Sequence, residues 1–259
     1  MSIEGNKKLV VIICLIFFIG ASGLWWVKKN KNWLFADGIP ILMYHAIGDP
    51  PSETPKNMSG WYVSKEKFEE QMEYLKKNDY DFITFDELKN VKRYKKPIII
   101  TFDDGYENNI VAYEILNKLK DNKFKPKVTL FMIASLIGEP NYLNHNHLKQ
   151  LSQSEIFSIQ SHTGSHINLT DSNVNFQLEY EETNKKISKI TGREVYILSY
   201  PFGAFNDESL NQAKKYYKYA VAMGHDRFKL KDDKDEFYKM KRLTVSGHDS
   251  KWKFRFMVR

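Results

Sequence analysis

From about Asp37 onward the chain alternates short apolar runs with stretches whose apolar residues recur at helical spacing. The runs predict strands at Ile39 to Tyr44, Phe82 to Thr84, Pro97 to Phe102, Lys127 to Ile133, Phe157 to Gln160, Val195 to Tyr200, Tyr219 to Ala222 and Arg242 to Val245. Between them, Phe68, Met72 and Leu75 mark one helical face, and Ala112, Ile115, Leu116 and Leu119 a second. Phe176, Tyr180, Ile187 and Ile190 mark a third, stopped by Gly192. Such alternation predicts an α/β domain with a largely parallel sheet. The strands are continuously apolar, as in Ile98-Ile99-Ile100, which fits strands covered on both faces by helices or closed into a barrel. Gly48 to Gly60, with Pro50, Pro51 and Pro55, reads as a loop.

The N-terminus follows a different pattern. Lys7-Lys8 precede Leu9 to Val27, nineteen residues without a charge, and Lys28, Lys29 and Lys31 follow. That length can cross a bilayer. A basic start, an apolar centre and small residues at Ala21-Ser22-Gly23 also fit a secretory signal, whereas Trp25 and Trp26 suit a retained anchor at a membrane interface. Residues 1–36 are therefore expected to be a membrane anchor or signal peptide and 37–259 the functional domain, held outside the cell membrane or secreted.

This segment also accounts for most of the charge. The net charge is +7, from 39 Lys+Arg and 32 Asp+Glu, and residues 1–36 contribute five Lys against one Glu. The other 34 basic and 31 acidic residues make a mixed surface without a basic stripe, so no nucleic-acid partner is expected. A single cysteine, Cys14, excludes a disulfide framework and a cysteine-based zinc site.

Ligands of α/β folds gather at the carboxyl ends of strands. Three segments there carry candidate chemistry: Thr101-Phe102-Asp103-Asp104-Gly105, Ser161-His162-Thr163-Gly164-Ser165-His166, and Ser199-Tyr200-Pro201-Phe202-Gly203. Taken singly, each has an ordinary explanation as a turn or a polar surface loop. Together, two imidazoles and a carboxylate make an N,N,O donor set that suits a catalytic zinc with an open position for water. The absence of H-E-x-x-H argues against a zincin peptidase.

These segments resemble the successive motifs of the polysaccharide deacetylase family (NodB homology, carbohydrate esterase family 4): T-F-D-D-G, H-[ST]-x-x-H and a proline-glycine turn. The likeness runs over roughly Ile39 to Val245 and implies a deformed (β/α) barrel. It implies that Asp103 is the general base and that Asp104, His162 and His166 bind a divalent metal, zinc above others. It also implies an oxyanion and substrate turn at Tyr200, Pro201 and Phe202, with the Phe202 N–H as donor. Two positions depart from the commonest pattern. Ser199 stands where many relatives have an arginine, so the guanidinium that orients the base is expected to be missing, and Val245-Ser246-Gly247-His248 matches the usual acid segment poorly. Both departures resemble the branch acting on poly-β-1,6-N-acetylglucosamine, whose acid lies on an early Met-Tyr-His segment. Here that is Met43-Tyr44-His45, making His45 the expected acid and His248 the reserve. The implied protein is a monomeric N-deacetylase of a polymeric N-acetylated amino sugar, with peptidoglycan as the rival substrate and a non-catalytic glycan-binding module as the alternative class.

Overall fold

The closing of the sheet follows from seven buried strands that find parallel partners on both sides. The computed structural model describes residues 38–230 and 234–259. The expected N-terminal anchor lies outside the described residues; among them, no helix is long and apolar enough to cross a membrane. The strands are β1 (Ile41–Tyr44), β2 (Ala46–Ile47), β3 (Tyr62–Val63), β4 (Asp81–Phe82), β5 (Pro97–Phe102), β6 (Val128–Met132), β7 (Phe157–Ser161), β8 (Ile197–Ser199), β9 (Tyr219–Gly224) and β10 (Met240–Thr244). All strand pairs are parallel, in the order β1, β10, β9, β8, β7, β6, β5, and β5 pairs back onto β1, closing a seven-stranded barrel. β4 hangs on the outside of β5, and β2 and β3 form a separate two-stranded pair that the sequence pattern does not announce.

The helices are α1 (Lys65–Lys77), α2 (Asn109–Leu119), α3 (His145–Gln153), α4 (Thr183–Thr191), α5 (Asp207–Tyr216) and α6 (Lys251–Val258). Ser64 caps α1 by accepting the Lys67 N–H at 3.3 Å, and the predicted face of Phe68, Met72 and Leu75 is buried. Gly192 ends α4 with φ of +68°, the left-handed cap that its position predicts. The third predicted helix begins as a wide π segment, Gln177–Glu182, before regular α4. Asn141 to Asn146 is only partly the polar loop that composition suggests. Asn144 accepts the His147 N–H at 2.9 Å and so starts α3 at His145. The strand expected at Phe82 to Thr84 stops at Phe82, because Thr84 donates its N–H to Glu87 at 2.8 Å and opens a 3-10 segment, Phe85–Arg93.

Strand alternation divides the buried residues into two layers. Leu42, Ile98, Ile100, Leu130, Ile159 and Leu198 pack with α1, α2, α3 and α4 in the outer layer. Ile41, Ile99, Phe131, Ile197, Val221 and Met240 fill the barrel. This parity has a functional consequence. Counting by twos along the inward face leads from Ile41 to His45, from Ile99 to Asp103, from Ile197 to Ser199 and from Met240 to Arg242.

Candidate active site

Parallel closure puts the carboxyl ends of the seven strands on one rim, where motifs far apart in sequence meet. At the end of β5, Asp103 is 3% exposed and Asp104 takes φ of +71°. Gly105 follows with φ of +81°, and a Cβ there would fall on the Met132 sulfur, so the turn requires glycine. The reversal separates two adjacent carboxylates. Asp103 stays in the barrel mouth, while Asp104 turns to the histidine loop.

The surroundings of Asp103 correct the sequence reading. The guanidinium expected to be missing is present, supplied by Arg242 of β10. Arg242 Nη1 donates to Asp103 Oδ1 at 2.6 Å and Nη2 to Oδ2 at 2.7 Å, a bidentate pair at a residue that is 0% exposed. Arg242 also donates to Thr101 Oγ1 at 3.0 Å and Ser199 Oγ at 2.8 Å, and its guanidinium lies 5.4 Å from the Phe131 ring centre. Ser199 Oγ in turn donates to Asp103 Oδ2 at 3.1 Å. Serine at the third motif thus leaves room for an arginine reaching across the barrel and adds a hydroxyl to its cradle. Burial alone would raise the Asp103 pKa; the Arg242 and His162 charges outweigh it and hold the carboxyl well below its ordinary range.

The histidine motif follows β7. His162 continues the inward parity of Ser158 and Gln160, and its Nδ1–H donates to the Ser199 carbonyl at 2.8 Å. That bond fixes the ring and aims Nε2 at Asp104 Oδ1, 3.4 Å away. His166 Nε2 lies 3.7 Å from the same oxygen. One donor atom from each of Asp104, His162 and His166 lies within 4.8 Å of the others. An anchored imidazole, a second imidazole and a carboxylate at this spacing fit a divalent cation of zinc type and leave room for further ligands.

The metal-free titration of this set gives a pH prediction. The Asp103 and Asp104 carboxylates raise the His162 pKa above its usual value despite burial, whereas burial and the neighbouring His162 lower that of His166. Metal ligation needs both rings neutral. Zinc affinity is therefore expected to fall as pH drops below the raised His162 value, by about tenfold per pH unit. A second proton joins the competition only below the depressed His166 value. Zinc titrations by calorimetry at several pH values check this; affinity that stays flat from pH 8 to 6 would contradict it.

His45 follows β1 at the same rim, half-buried, with its ring 4.3 Å from that of Trp61. Burial lowers its pKa, partly offset by the Asp104 and Asp103 carboxylates, so it belongs electrostatically to the cluster. Its Nδ1 is buried with no hydrogen-bond partner among the described residues. The reserve candidate, His248, sits exposed on a loop with Nε2 3.1 Å from Ser59 Oγ. Of the third-motif residues, Tyr200 and Pro201 are buried, and Tyr200 stacks on Phe205 at 4.9 Å, so the Tyr200 ring does not line the mouth as a substrate contact. Phe202 is 62% exposed, takes φ of +59° and sets its ring 4.7 Å from His166. Tyr62, Tyr106 and Tyr142 cluster on another side, with ring separations of 6.4 and 5.3 Å.

Residues 90–221 match the polysaccharide deacetylase family. The chain belongs to that family. YxkH of Bacillus subtilis, named for polysaccharide deacetylases, is 34% identical over 197 residues, which cover 73% of this chain and 64% of the relative. The poly-β-1,6-N-acetyl-D-glucosamine N-deacetylase of Staphylococcus aureus is 29% identical, covering 62% of this chain and 60% of the relative. The crystal structure of BC0361, a polysaccharide deacetylase from Bacillus cereus, superposes with a TM-score of 0.82 at 36% identity, over 86% of this chain and 69% of that one. The chain thus spans less than two thirds of the length of these two curated relatives. The deformed barrel expected from the family motifs is the fold observed.

Proposed function

We propose that this chain is a metal-dependent N-deacetylase of a polymeric N-acetylated amino sugar, with poly-β-1,6-N-acetylglucosamine the favoured substrate. One observation carries the reading: an N,N,O cluster of Asp104, His162 and His166 directly beside a buried carboxylate, Asp103, paired with Arg242 at the barrel rim. A divalent cation held by those three side chains would supply Lewis acidity, making its water acidic and polarising the acetyl carbonyl. Asp103 then accepts the proton of the attacking water at the mouth, kept in place by Arg242 and Ser199. The N–H of Phe202, on its left-handed turn next to His166, donates to the oxyanion. His45 delivers a proton to the departing sugar amine, which leaves poorly without one. The preference for a poly-β-1,6-linked glycan rests on the name of the Staphylococcus aureus relative and on the early His45 segment. The apolar run at Leu9 to Val27 supports a place outside the cell membrane, tethered or released.

The test is acetate release from purified protein offered poly-β-1,6-N-acetylglucosamine and peptidoglycan in parallel, with and without a chelator. Release from the first polymer that stops with chelator and returns with zinc is expected. Release from peptidoglycan alone would change the substrate. No release from either, with zinc bound, would favour a glycan-binding module.

A further inference from the structure

The loop carrying both histidines is strained, and contacts both within it and from outside hold its shape. Between His162 and His166 the chain reverses through two non-glycine residues in the left-handed region, Thr163 at φ of +67° and His166 at +57°. Such conformations persist only where surrounding contacts over-determine them. Ala134 N–H donates to the Thr163 carbonyl at 3.1 Å and Ser135 N–H to the Gly164 carbonyl at 2.8 Å, tying the first half. The second half is tied by Thr163, whose hydroxyl accepts the His166 N–H at 3.0 Å, and by Glu179. This glutamate is 3% exposed; its Oε2 accepts the Ser165 N–H at 2.9 Å and its Oε1 the Ser165 hydroxyl at 2.5 Å.

Its place on the chain explains how it gets there. Glu179 lies in the π segment Gln177–Glu182, whose wide turn sends Tyr180 into the core at 0% exposure while Glu179 reaches the loop. A Cβ on Gly164 would sit 3.2 Å from Glu179 Oε2 and 3.2 Å from Thr183 Oγ1, so carboxylate and turn are already in close contact. A buried carboxylate needs donors to be tolerated, and the two on Ser165 satisfy it with charge-assisted bonds stronger than a neutral acceptor would make.

We propose that Glu179 is a positioning residue: by clamping Ser165 it sets the direction of the His166 imidazole towards Asp104 and so tunes the affinity of the site for a divalent cation. The proposal rests on the reading of Asp104, His162 and His166 as a metal site. It makes no contact with the reacting atoms, so its effect passes through the ligand loop.

The test compares Glu179→Ala, Glu179→Gln and Ser165→Ala in the full chain purified in detergent, read by zinc calorimetry and by amide hydrogen exchange of the metal-free protein. Glu179→Ala is expected to weaken zinc binding about 10- to 100-fold, the usual cost of losing a partner that orients a ligand. It is also expected to accelerate exchange at Ser165 and His166. Glu179→Gln should recover most of both, within about threefold of wild type, because its amide accepts the Ser165 N–H and meets the hydroxyl as a donor. Should Glu179→Ala not fold, Ser165→Ala, which removes the hydroxyl bond alone, carries the test with an expected loss of about threefold to tenfold. Wild-type zinc affinity and unchanged exchange in the variants that fold would overturn the role of Glu179 and leave the metal site standing. A wild-type chain that binds no zinc would overturn the metal reading, and with it this role, even if exchange at Ser165 responds.

Discussion

Arg242→Met is expected to lower stability by about 3–5 kcal/mol, because it strands the Asp103 carboxylate without its partner inside the barrel. Asp103 is 3% exposed and Arg242 is 0% exposed, so solvent cannot replace either side of the pair. Arg242→Lys keeps a charge but loses the two-pronged bond to Oδ1 and Oδ2, and should fall between wild type and Arg242→Met. Denaturant titration at neutral pH reads this directly. Pairing the change with Asp103→Asn closes a double-mutant cycle in which the double variant loses less than the sum of the singles, since neither charge is then buried alone. Full additivity would mean that the pair is energetically silent.

The same variant has a pH signature. The Asp103 pKa is depressed in the folded protein, so its ionised form contributes stability above the unfolded carboxyl pKa, and that contribution is lost as pH falls through the folded value. Removing Arg242 leaves burial to act unopposed and raises the Asp103 pKa. With zinc kept saturating, the acid limb of the rate should therefore move to higher pH in Arg242→Met, as protonated Asp103 cannot accept a proton. An unmoved acid limb would detach Asp103 from the limb.

Asp103→Asn is expected to lower turnover by about 10²–10⁴-fold, the range for a lost general base. Asparagine keeps one oxygen for Arg242 but cannot hold a proton taken from water, so the loss should fall on kcat more than on KM. Asp104→Asn differs in kind although it is the next residue. Its Oδ1 is the point from which His162 and His166 lie 3.4 and 3.7 Å away, and exchanging the anionic carboxylate for a neutral amide, a much weaker ligand for a divalent cation, should remove metal and activity together.

The barrel and the donor set are legible in the sequence because they rest on local patterns. Unbroken apolar runs such as Ile98-Ile99-Ile100 mark strands covered on both sides, and each motif sits just past such a run. Arg242 escaped the reading because its partner is 139 positions away and joins it only through barrel closure. A signal was present, however: β10 carries Met240 and Arg242 on one parity, and a lone arginine on an inward face must find an acid. Glu179 was hidden by a local irregularity. The helical spacing from Phe176 to Ile190 runs smoothly in sequence, and only the π turn shows that one glutamate leaves the solvent side for the histidine loop. The helix at His145 is not announced by the sequence because its apolar face is short, with only Leu148 and Leu151 as buried apolar residues.

The central claim is that two adjacent aspartates hold separate jobs, one a proton acceptor and the other a metal ligand. Zinc content of Asp103→Asn and Asp104→Asn, measured side by side after dialysis against trace zinc, tests it most directly. About one equivalent in Asp103→Asn, with acetate release nearly abolished, and little or none in Asp104→Asn is the expected result. Equal zinc in the two variants, whether both full or both empty, would contradict the division of roles on which the mechanism stands.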